Sequence, residues 1–544
     1  RMIMKQIILF LILALLLTGC TSAAAPADIA ATTLPVYEFT LRLCDGTPLT
    51  VTRLVTEEVS CLHDYSLNVR QVKAAEAARV TVISGAGLED FWTKYTSSPL
   101  FVGGFMWDFS DNAVVRSDRN GALDSDASNG ADGILGPHRE KEASYYTVRD
   151  VWAPIQFENL LITPSFDGRI LTRNDYLYTN LKSCSARYRL LRAGREQTEP
   201  MGEGEVTLPA LDPRCSGFAK MHLPINFFEA DVLEITLYHP SGEEMVTRTW
   251  PIHRAARYVP EMNNTTTSVA TLKAEGDVVR MAGGGVQVEF DTSTGRIRQV
   301  VGRKGALSLT DGPIPVGMNA RLDRVESRME GSTAVVTAYY LGALDSVRWE
   351  MNAEGLLKMH AVMLNRANDG KGFDDAVVVP NVNNLGFSFR YPEERVKGVS
   401  WFGRGPQRVW KNRIRGTQYG VWHKAYNDAL TGAAFDRLVY PEFKGYHADM
   451  RWMELHTNEG DFTVHSASDG VYMHLYSPEQ PADNKSGIIA YPDFPEGDIS
   501  FLYEIPAMRC FKPLSEHGPS GQPGHVRIKK GDEGIHMELV FDFR

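Results

Sequence analysis

From about residue 155 onward, short segments of aliphatic, β-branched and aromatic residues predict one β-strand after another. In the first block, turns such as Asp167-Gly168 and Ser241-Gly242 separate these segments, and no helical period is present. The predicted strands are Gln156–Thr163, Tyr176–Leu181, Ala186–Leu191, Glu203–Leu208, Val232–Tyr238 and Glu244–Trp250. Strands at this spacing predict an immunoglobulin-like β-sandwich over residues 153–260.

A second β-rich block extends to the C-terminus. Gly285–Asp291 alternates polar and apolar residues, Thr292–Gly295 forms its turn, and Arg296–Val301 is the return strand. Further strands are predicted at Ala334–Leu341, Ser346–Asn352, Leu356–Asn365, Leu385–Tyr391, Asp461–Ala467, Val471–Ser477 and His536–Phe543. The block is too long for a simple sandwich, so residues 271–544 are predicted to form a large two-sheet supersandwich. The polar residues 261–270 before it are predicted to be a linker.

The stretch before residue 155 has an α/β pattern. Leu88–Tyr95 places its apolar residues on one helical face, and Phe101–Phe105 is typical of a buried strand that ends in an aromatic and acidic tip. This order is typical of one unit of a (β/α)8 barrel, whereas a whole barrel needs eight units and about 250 residues. Residues 86–152 are therefore predicted to be a terminal barrel unit with its exit loop. The predicted fold class is mainly β, with a remnant of a (β/α)8 barrel before the β domains.

The first twenty residues are typical of a secretory signal. Lys5 precedes the apolar run Ile7–Leu17, which is too short to cross a bilayer. Leu17–Cys20 resembles a bacterial lipobox, in which Cys20 is lipidated; a plain signal peptide is the alternative. Residues 21–31 then have the composition of a tether. The expectation is an extracytoplasmic lipoprotein, anchored in the membrane at the periplasm or cell surface of a bacterium.

Charge and cysteine content limit which binding partners, metal sites and disulfide bonds are expected. The net charge is −10 and no basic run stands out, which argues against a nucleic-acid partner. The basic and aromatic residues that interleave over 401–425 are predicted to be core or turn residues of the supersandwich. No close Cys pair is present, so no cysteine zinc site is expected. Cys184 with Cys215, and Cys44 with Cys61, are candidate bridges, and free thiols are the alternative.

Four scattered histidines lie singly on separate segments and carry no familiar metal motif. They are interpreted as ordinary sheet residues, and no metal site is predicted from them. These residues are His447, His456, His465 and His474.

Three motifs in order resemble glycoside hydrolase family 2, the β-galactosidase type. Gly87–Trp92 with Phe101–Phe109 is similar to the last helix–strand unit of that family's barrel, whose signature is G-G-F-x-W-D-[WF]. Asp132–Pro137 resembles the loop that leaves the barrel toward the second immunoglobulin-like domain. Trp401–Gln407 is similar to the W-x-G-x-G-P-x-E motif of the C-terminal supersandwich. The resemblance covers roughly residues 86 to 544.

The resemblance implies a retaining mechanism with two Glu side chains on barrel strands. No counterpart of the acid/base residue is found. Glu76 lies 31 residues before Trp107, about the family's spacing for the nucleophile, so it is a catalytic candidate by spacing alone. Its surroundings lack the family's E-Y-x-H context, and the alternative is a solvated Glu on an Ala-rich helix beside Lys73 and Arg79.

The resemblance also implies substrate-binding residues and ions. Trp107 would stack on a galactose ring, with a core Trp at the end of the barrel as the alternative. Asp132 falls near the family's sugar- and sodium-contacting position. Mg or Na are the ions that the resemblance implies, and no other cofactor is expected.

The implied function is retaining hydrolysis of terminal β-galactosides or related β-glycosides. Only 86 residues lie between Cys20 and Trp107, so most of the catalytic barrel is expected to be missing from this chain, which begins at Arg1. Negligible turnover of the chain by itself is expected. The alternative is a non-catalytic carbohydrate-binding or complementing small subunit that joins a barrel-bearing large subunit or a second copy of itself. Within residues 21–85, predicted strands Val36–Leu43 and Leu49–Glu57 would be a remnant of the family's N-terminal jelly roll.

Overall fold

The computed structural model describes most of the chain after residue 107 and short parts of it before. The described residues are 27–31, 34–53, 80–82, 88–96, 106, 108–125, 133–158, 160–262, 268–364, 377–427, 443–477, 494–508, 524–528 and 534–544. They belong to two compact units, Arg1–Trp107 and Asp108–Arg544.

The first unit contains a short parallel sheet and two helices. The sheet order is β2-β1-β3, with all pairs parallel. Its elements are β1 (Ile29–Ala31), α1 (Leu34–Leu43), β2 (Val51–Arg53), β3 (Val80–Val82) and α2 (Leu88–Thr96). The predicted helix at Leu88–Tyr95 is confirmed. The strand that should follow it, Phe101–Phe105, lies outside the described residues, so the barrel unit stays a prediction.

The predicted strand Val36–Leu43 is wrong, because these residues belong to α1. Val36, Phe39 and Leu43 recur at the three- and four-residue spacing of a helix, and Pro35 in the first turn suits a helix start. A jelly roll is antiparallel, whereas β1 and β2 pair in parallel. The described part of residues 21–85 is therefore α/β and does not resemble a jelly roll.

The second unit begins with a small hairpin, a helix and an antiparallel sheet of seven strands. These elements are β4 (Ala113–Arg116), β5 (Ala122–Ser125), α3 (Ala143–Val151), β6 (Ile155–Phe157), β7 (Arg169–Asn174), β8 (Ser185–Ala193), β9 (Thr198–Thr207), β10 (Ser216–Met221), β11 (Val232–Tyr238) and β12 (Glu244–Pro251). The sheet order is β12-β11-β8-β9-β10-β7-β6. β9 pairs with β8 along Thr198–Glu205 and with β10 only at Val206 and Thr207. The two halves of the sheet share one hydrophobic core, as a sandwich does.

Of the six predicted strands, four match β8, β9, β11 and β12, Gln156–Thr163 overlaps β6 only at Gln156 and Phe157, and one is misplaced. The predicted strand Tyr176–Leu181 is a loop, because the Asn174 side chain accepts from the Tyr176 backbone N–H at 3.0 Å and donates to the Thr179 carbonyl at 2.9 Å. This Asx-type turn satisfies backbone groups that a strand would pair. β7 and β10 were not predicted. Their exposed positions carry Arg, Lys and Ser, so each segment contains too few apolar residues to stand out as a strand.

The candidate bridge between Cys184 and Cys215 does not form. Cys184 is buried and Cys215 is exposed, and both are free thiols. Cys184 precedes β8 and Cys215 precedes β10, and β9 lies between these strands. Cys44 is also free, whereas its candidate partner Cys61 lies outside the described residues.

The C-terminal domain follows the linker and consists of strands, as predicted. They are β13 (Thr271–Glu275), β14 (Val278–Gly283), β15 (Val286–Asp291), β16 (Arg296–Gly302), β17 (Gly305–Leu307), β18 (Thr310–Val316), β19 (Ala320–Glu330), β20 (Thr333–Gly342), β21 (Leu344–Met351), β22 (Leu356–Met363), β23 (Val377–Val382), β24 (Leu385–Arg390), β25 (Val396–Gly405), β26 (Gln418–Ala425), β27 (Gly445–His447), β28 (Trp452–Thr457), β29 (Phe462–Ser466), β30 (Tyr472–Leu475), β31 (Ile499–Glu504), β32 (Gly524–Ile528) and β33 (Ile535–Asp542). Short 3-10 turns occur at Ser117–Arg119, Leu181–Ser183, Phe227–Glu229, Ala255–Tyr258 and Glu393–Arg395.

Three large sheets build this domain. A nine-stranded sheet has the order β19-β20-β21-β22-β33-β29-β28-β25-β26. Two five-stranded sheets, β13-β14-β15-β16-β17 and β18-β24-β31-β30-β27, contribute to the same hydrophobic core. β23 and β32 form a separate pair. The predicted mainly β architecture is confirmed, and the supersandwich consists of one wide layer facing two narrower sheets.

Aromatic side chains hold these layers together. Trp349 of the wide sheet lies between Phe290 of β15 and Phe541 of β33, with ring centroids 5.4 and 5.7 Å apart. Phe389 of β24 packs on the same Phe541 at 5.4 Å. All four side chains are at most 1% exposed. Burial of such large apolar groups is the main stabilising contribution to a two-layer β domain.

A second, smaller core joins the seven-stranded sheet to the wide sheet. Leu191 and Val232 of the first domain pack with Phe402, Tyr419 and Val421 of the second. Among the described residues, no helix is long and apolar enough to cross a membrane.

Candidate functional site

The site residues predicted from the sequence all lie outside the described residues. They are the lipidation candidate Cys20, the catalytic candidate Glu76 and the substrate-binding candidates Trp107 and Asp132. Their roles stay predictions.

The residues beside Trp107 and Asp132 are described, and they pair with each other. The Asp111 carboxylate accepts from the Gly133 backbone N–H at 2.9 Å, and the Asp111 N–H donates to the Leu135 carbonyl at 2.8 Å. A Cβ on Gly133 would lie 2.3 Å from the Asp111 nitrogen, so only glycine permits this approach. The Asp108 carboxylate accepts from its neighbour Phe109 N–H and from Asn112. These contacts hold residues 133–135 against residues 108–112.

The Trp401–Gln407 motif forms the end of β25 and is mostly interior. Trp401 and Phe402 are fully buried, and Trp410 is nearly so. The Arg404 guanidinium donates to the Asp449 carboxylate at 3.0 Å and lies over the Tyr419 ring, 4.6 Å from its centroid. The interpretation of the interleaved aromatic and basic residues as core and turn residues is therefore confirmed for these side chains.

Asp449 is the centre of a buried polar cluster beside this motif. Its carboxylate also accepts from the Tyr419 hydroxyl at 2.6 Å. Burial together with the Asp449 charge raises the pKa of the Tyr419 phenol above its ordinary range, so this side chain is a neutral hydrogen-bond donor. The cluster fixes β26 against the turn before β28.

A second buried cluster joins α3 to both β domains. The two carboxylate oxygens of Asp150 accept from Arg248 Nε at 2.5 Å and from Arg415 Nε at 2.7 Å. The side-chain oxygen of Gln156 accepts from both guanidinium groups, at 3.1 and 3.0 Å. Burial alone would raise the pKa of Asp150, but the two nearby guanidinium charges outweigh it and hold the pKa below its ordinary value.

A groove of about 700 Å³ lies on the polar face of β8, β9, β11 and β12. Arg187 and Arg189 face Glu205 and Glu203 across the β8–β9 pair, and Gln418 of β26 lies at the groove's other side. Arg189 is paired with the nearly buried Glu234 at 2.6 Å. The groove is lined by hydrogen-bonding groups of both signs of charge and has little apolar surface for a large hydrophobic ligand.

Next to this groove, the β8–β9 turn contacts the wide sheet through polar side chains. Arg195 donates to Glu454 at 2.8 Å, and His423 contacts the Glu196 carbonyl. Behind them lie three further side chains from β25, β28 and the turn before β29. We call the whole group the polar seam, and its members are Arg195, Glu196, Ser400, His423, Glu454, His456 and Asp461.

The polar seam contains the one group of three metal-ligand residue types found among the described residues. Ligand atoms of Glu454, His456 and Asp461 lie within 4.8 Å of one another. Burial opposes ionisation of Asp461, but hydrogen bonds from His456 and the Thr457 N–H outweigh it and lower the pKa of the carboxyl. His456 lies on β28, as expected of a sheet residue, and its ring contacts Ser400 and Asp461.

Sequence reasoning missed this group because it considered each histidine alone. Glu454 and His456 are two residues apart on β28, and side chains at this spacing share one face of a strand. Asp461 returns to them because only a four-residue turn separates β28 from β29. The Glu-x-His spacing followed by a short turn was the available signal. Ser400 and His423 come from other segments of the chain, so only the structure shows that they lie beside His456.

Fold and geometry together define the class of this protein. It is a mainly β protein in which a β-sandwich packs against a larger domain built from three main sheets. Residues 318–483, within this larger domain, match the family described as Beta galactosidase small chain. The chain thus contains a β-galactosidase-type small-chain region.

A longer alignment agrees with this match. The chain is 20% identical over 481 residues to Beta-galactosidase 2 of Enterobacter cloacae. The alignment covers 75% of this chain and 44% of that relative, so the chain spans less than half the length of the curated relative it matches. Both findings support a likeness to glycoside hydrolases of the β-galactosidase type.

Proposed function

We propose that this protein takes part in the hydrolysis of terminal β-galactosides or closely related β-glycosides. The observation that carries the proposal is the match of residues 318–483 to the beta galactosidase small chain. The likeness to Beta-galactosidase 2 extends this match over most of the chain. The matched residues lie in the domain that contains the nine-stranded sheet and two five-stranded sheets.

Within this reaction, the chain supplies the β domains, and a catalytic barrel supplies the two carboxyl groups. A retaining glycosidase needs these carboxyls about 5–5.5 Å apart, one as the nucleophile and one as the acid/base. The small-chain description of the matching family favours this division of labour. Trp107 and Asp132 are proposed to contact the sugar at the border of the barrel. Mg or Na is the ion proposed for that site.

The proposed location is the outer face of a bacterial membrane, with the chain held there by a lipid on Cys20. The support is the apolar run Ile7–Leu17 followed by the lipobox-like Leu17–Cys20.

The experiment is an assay of the purified chain by itself on nitrophenyl β-D-galactoside, with a Glu76→Gln variant in parallel. We expect only the background rate for both proteins, because the acid/base residue has no counterpart in this sequence. A rate well above background that Glu76→Gln abolishes would show that the chain carries its own nucleophile. That result would contradict the proposed division of labour, although not the reaction itself.

A further inference from the structure

The floor of the groove on the seven-stranded sheet carries opposite charges in two rows. Arg187 of β8 lies opposite Glu205 of β9. Arg189, two residues along the same strand, lies between Glu203 of β9 and Glu234 of β11. The alternate residues of β8 are buried in the core, so these charged side chains share the outer face of the sheet. The groove volume of about 700 Å³ is within the range of small-ligand sites.

Part of this floor is fixed by contacts within the protein. Both Nε and Nη2 of Arg189 contact one carboxylate oxygen of Glu234 at 2.6 Å. Glu234 is 7% exposed, so this ion pair belongs to the framework of the groove. At the other side, the side-chain amide of Gln418 donates to the Thr247 carbonyl at 3.2 Å and ties β26 to β12. A ligand would therefore meet a groove whose walls are already ordered, which lowers the cost of binding.

Three charged side chains in the groove are not held in this way. Arg187, Glu203 and Glu205 are exposed and, within the described parts of the chain, make no ion pair or side-chain hydrogen bond. On the outer face of the wide sheet, by contrast, Arg348 of β21 contacts Glu330 of β19 at 2.6 Å. The groove thus leaves both hydrogen-bond donors and acceptors available to a ligand.

The mixture of charges favours a neutral ligand that carries hydroxyl groups. An anion would lie near four carboxylates, and a cation would lie beside two guanidinium groups, so each would meet like charge. A hydroxyl suits both partners, because it can accept from a guanidinium and donate to a carboxylate at the same time. Tyr238, the last residue of β11, also lines the groove and offers a ring face for the apolar side of a sugar.

We propose that this groove binds a neutral oligosaccharide through Arg187, Glu203 and Glu205. The groove holds the glycan on the first β domain, and no bond is made or broken there. The class of ligand follows from the groups in the groove, whereas the choice of a β-galactosyl probe rests on the proposed function.

The test is calorimetric titration of the full chain with β-1,4-galactotriose, with cellotriose and inorganic phosphate titrated in parallel. We expect saturable binding of one galactotriose per chain and no binding of phosphate. Arg187→Ala and Glu205→Ala should each weaken the binding by about 10-fold, as expected for the loss of one hydrogen bond to a charged group. Both side chains are exposed and make no described contact that the fold would lose.

Arg192→Ala is the matched control, because Arg192 is an exposed arginine on the same strand outside the groove. This variant should bind galactotriose as the unmodified chain does. Absence of saturable binding of both trisaccharides would overturn the proposal, and so would equal binding by the groove variants and the control. Binding of phosphate alone would overturn it as well.

Binding of cellotriose without galactotriose, weakened by the same groove variants, would support a saccharide groove and count against the hydrolysis of galactosides. Conversely, galactoside hydrolysis by complexes of this chain together with an empty groove would overturn the groove and leave the proposed function intact. The two proposals therefore fail in distinguishable ways.

Discussion

At the scale of single residues, Gly405 shows why the Trp401–Gln407 motif contains a glycine. Its backbone does not have a positive φ, so conformational freedom is not the reason. A Cβ at this position would lie 2.6 Å from a Trp422 ring atom and 2.8 Å from a Trp401 ring atom. Because Gly405 has no side chain, the indole rings of Trp401 and Trp422 can pack directly against the strand at this position.

Gly405→Ala is expected to destabilise the protein by about 1–3 kcal/mol, because one of the two rings must leave its position. The measurement is urea unfolding followed by tryptophan fluorescence. Gly202→Ala is the matched control on β9, where an added Cβ meets nothing within 4 Å. Equal unfolding midpoints for the two variants would contradict this account of the motif.

His474 is a second residue of interest, because its burial makes the stability of the protein depend on pH. It is fully buried, with its ring centroid 5.0 Å from that of Tyr446. Burial lowers the pKa of His474 to about 3. The unfolded chain binds a proton there near pH 6.5, so this residue's contribution to stability is complete above that pH and is lost as the pH falls toward 3.

The free energy of unfolding should therefore fall less steeply between pH 6.5 and pH 4 in His474→Gln than in the unmodified chain. The difference in slope should approach about 1.4 kcal/mol per pH unit, the value for one proton. Urea unfolding at several pH values measures it. His239→Gln, which changes an exposed histidine, serves as the control with an unchanged slope. Parallel pH profiles for His474→Gln and the unmodified chain would show that this histidine is protonated in the folded state.

At the scale of elements, α3 is the connection between the two β domains. Asp150 near its C-terminal end holds Arg248 of β12 and Arg415 from the loop before β26. The three side chains come from parts of the chain more than 90 residues apart. Loss of the carboxylate would leave two guanidinium groups close together without their shared anion.

Asp150→Asn is expected to lower the free energy of unfolding by roughly 3 kcal/mol at pH 7. The pKa of Asp150 is lowered in the folded protein, so the contribution is present above about pH 4 and is lost as the pH falls through the folded value. The difference between the variant and the unmodified chain should therefore shrink below pH 4. Asp323→Asn, which removes an exposed ion pair with Arg324, is the control and should have little effect. A constant difference down to pH 3 would contradict the charge-based explanation.

The strands of the two β domains were largely predictable because alternation of polar and apolar residues is a local property. Val232–Tyr238 was predicted with its observed bounds, and Arg296–Val301 to within one residue. Val36–Leu43 was assigned to a strand although Val36, Phe39 and Leu43 follow the spacing of a helix, because a short apolar run resembles a strand when that spacing is not counted. The sheet orders were beyond prediction, because β22 pairs with β33 across more than 170 residues.

The polar seam was unpredictable for a related reason. His456 meets Asp461 through a short turn, which the sequence does contain. It meets Ser400 and His423 only because β28, β25 and β26 are neighbours in the wide sheet. By contrast, the Trp401–Gln407 motif could be found in the sequence because its residues follow one another along the chain.

At the scale of the whole molecule, Asp108–Arg544 forms one unit whose described residues contain two main hydrophobic cores and two smaller ones, of which one is shared between the β domains. Asp150, the small shared core and the polar seam all lie between the same two domains. The two β domains therefore pack together as one support.

The central claim is that this support serves a β-galactoside hydrolase, and one measurement tests it most directly. The tagged chain would be isolated under mild conditions from the cells that encode it, and the initial rate of nitrophenyl β-D-galactoside hydrolysis would be measured in the eluate. The account predicts hydrolysis that rises in proportion to the amount of tagged chain, faster than with the β-D-glucoside. Background rates on both substrates, with the intact chain present in the eluate, would contradict it.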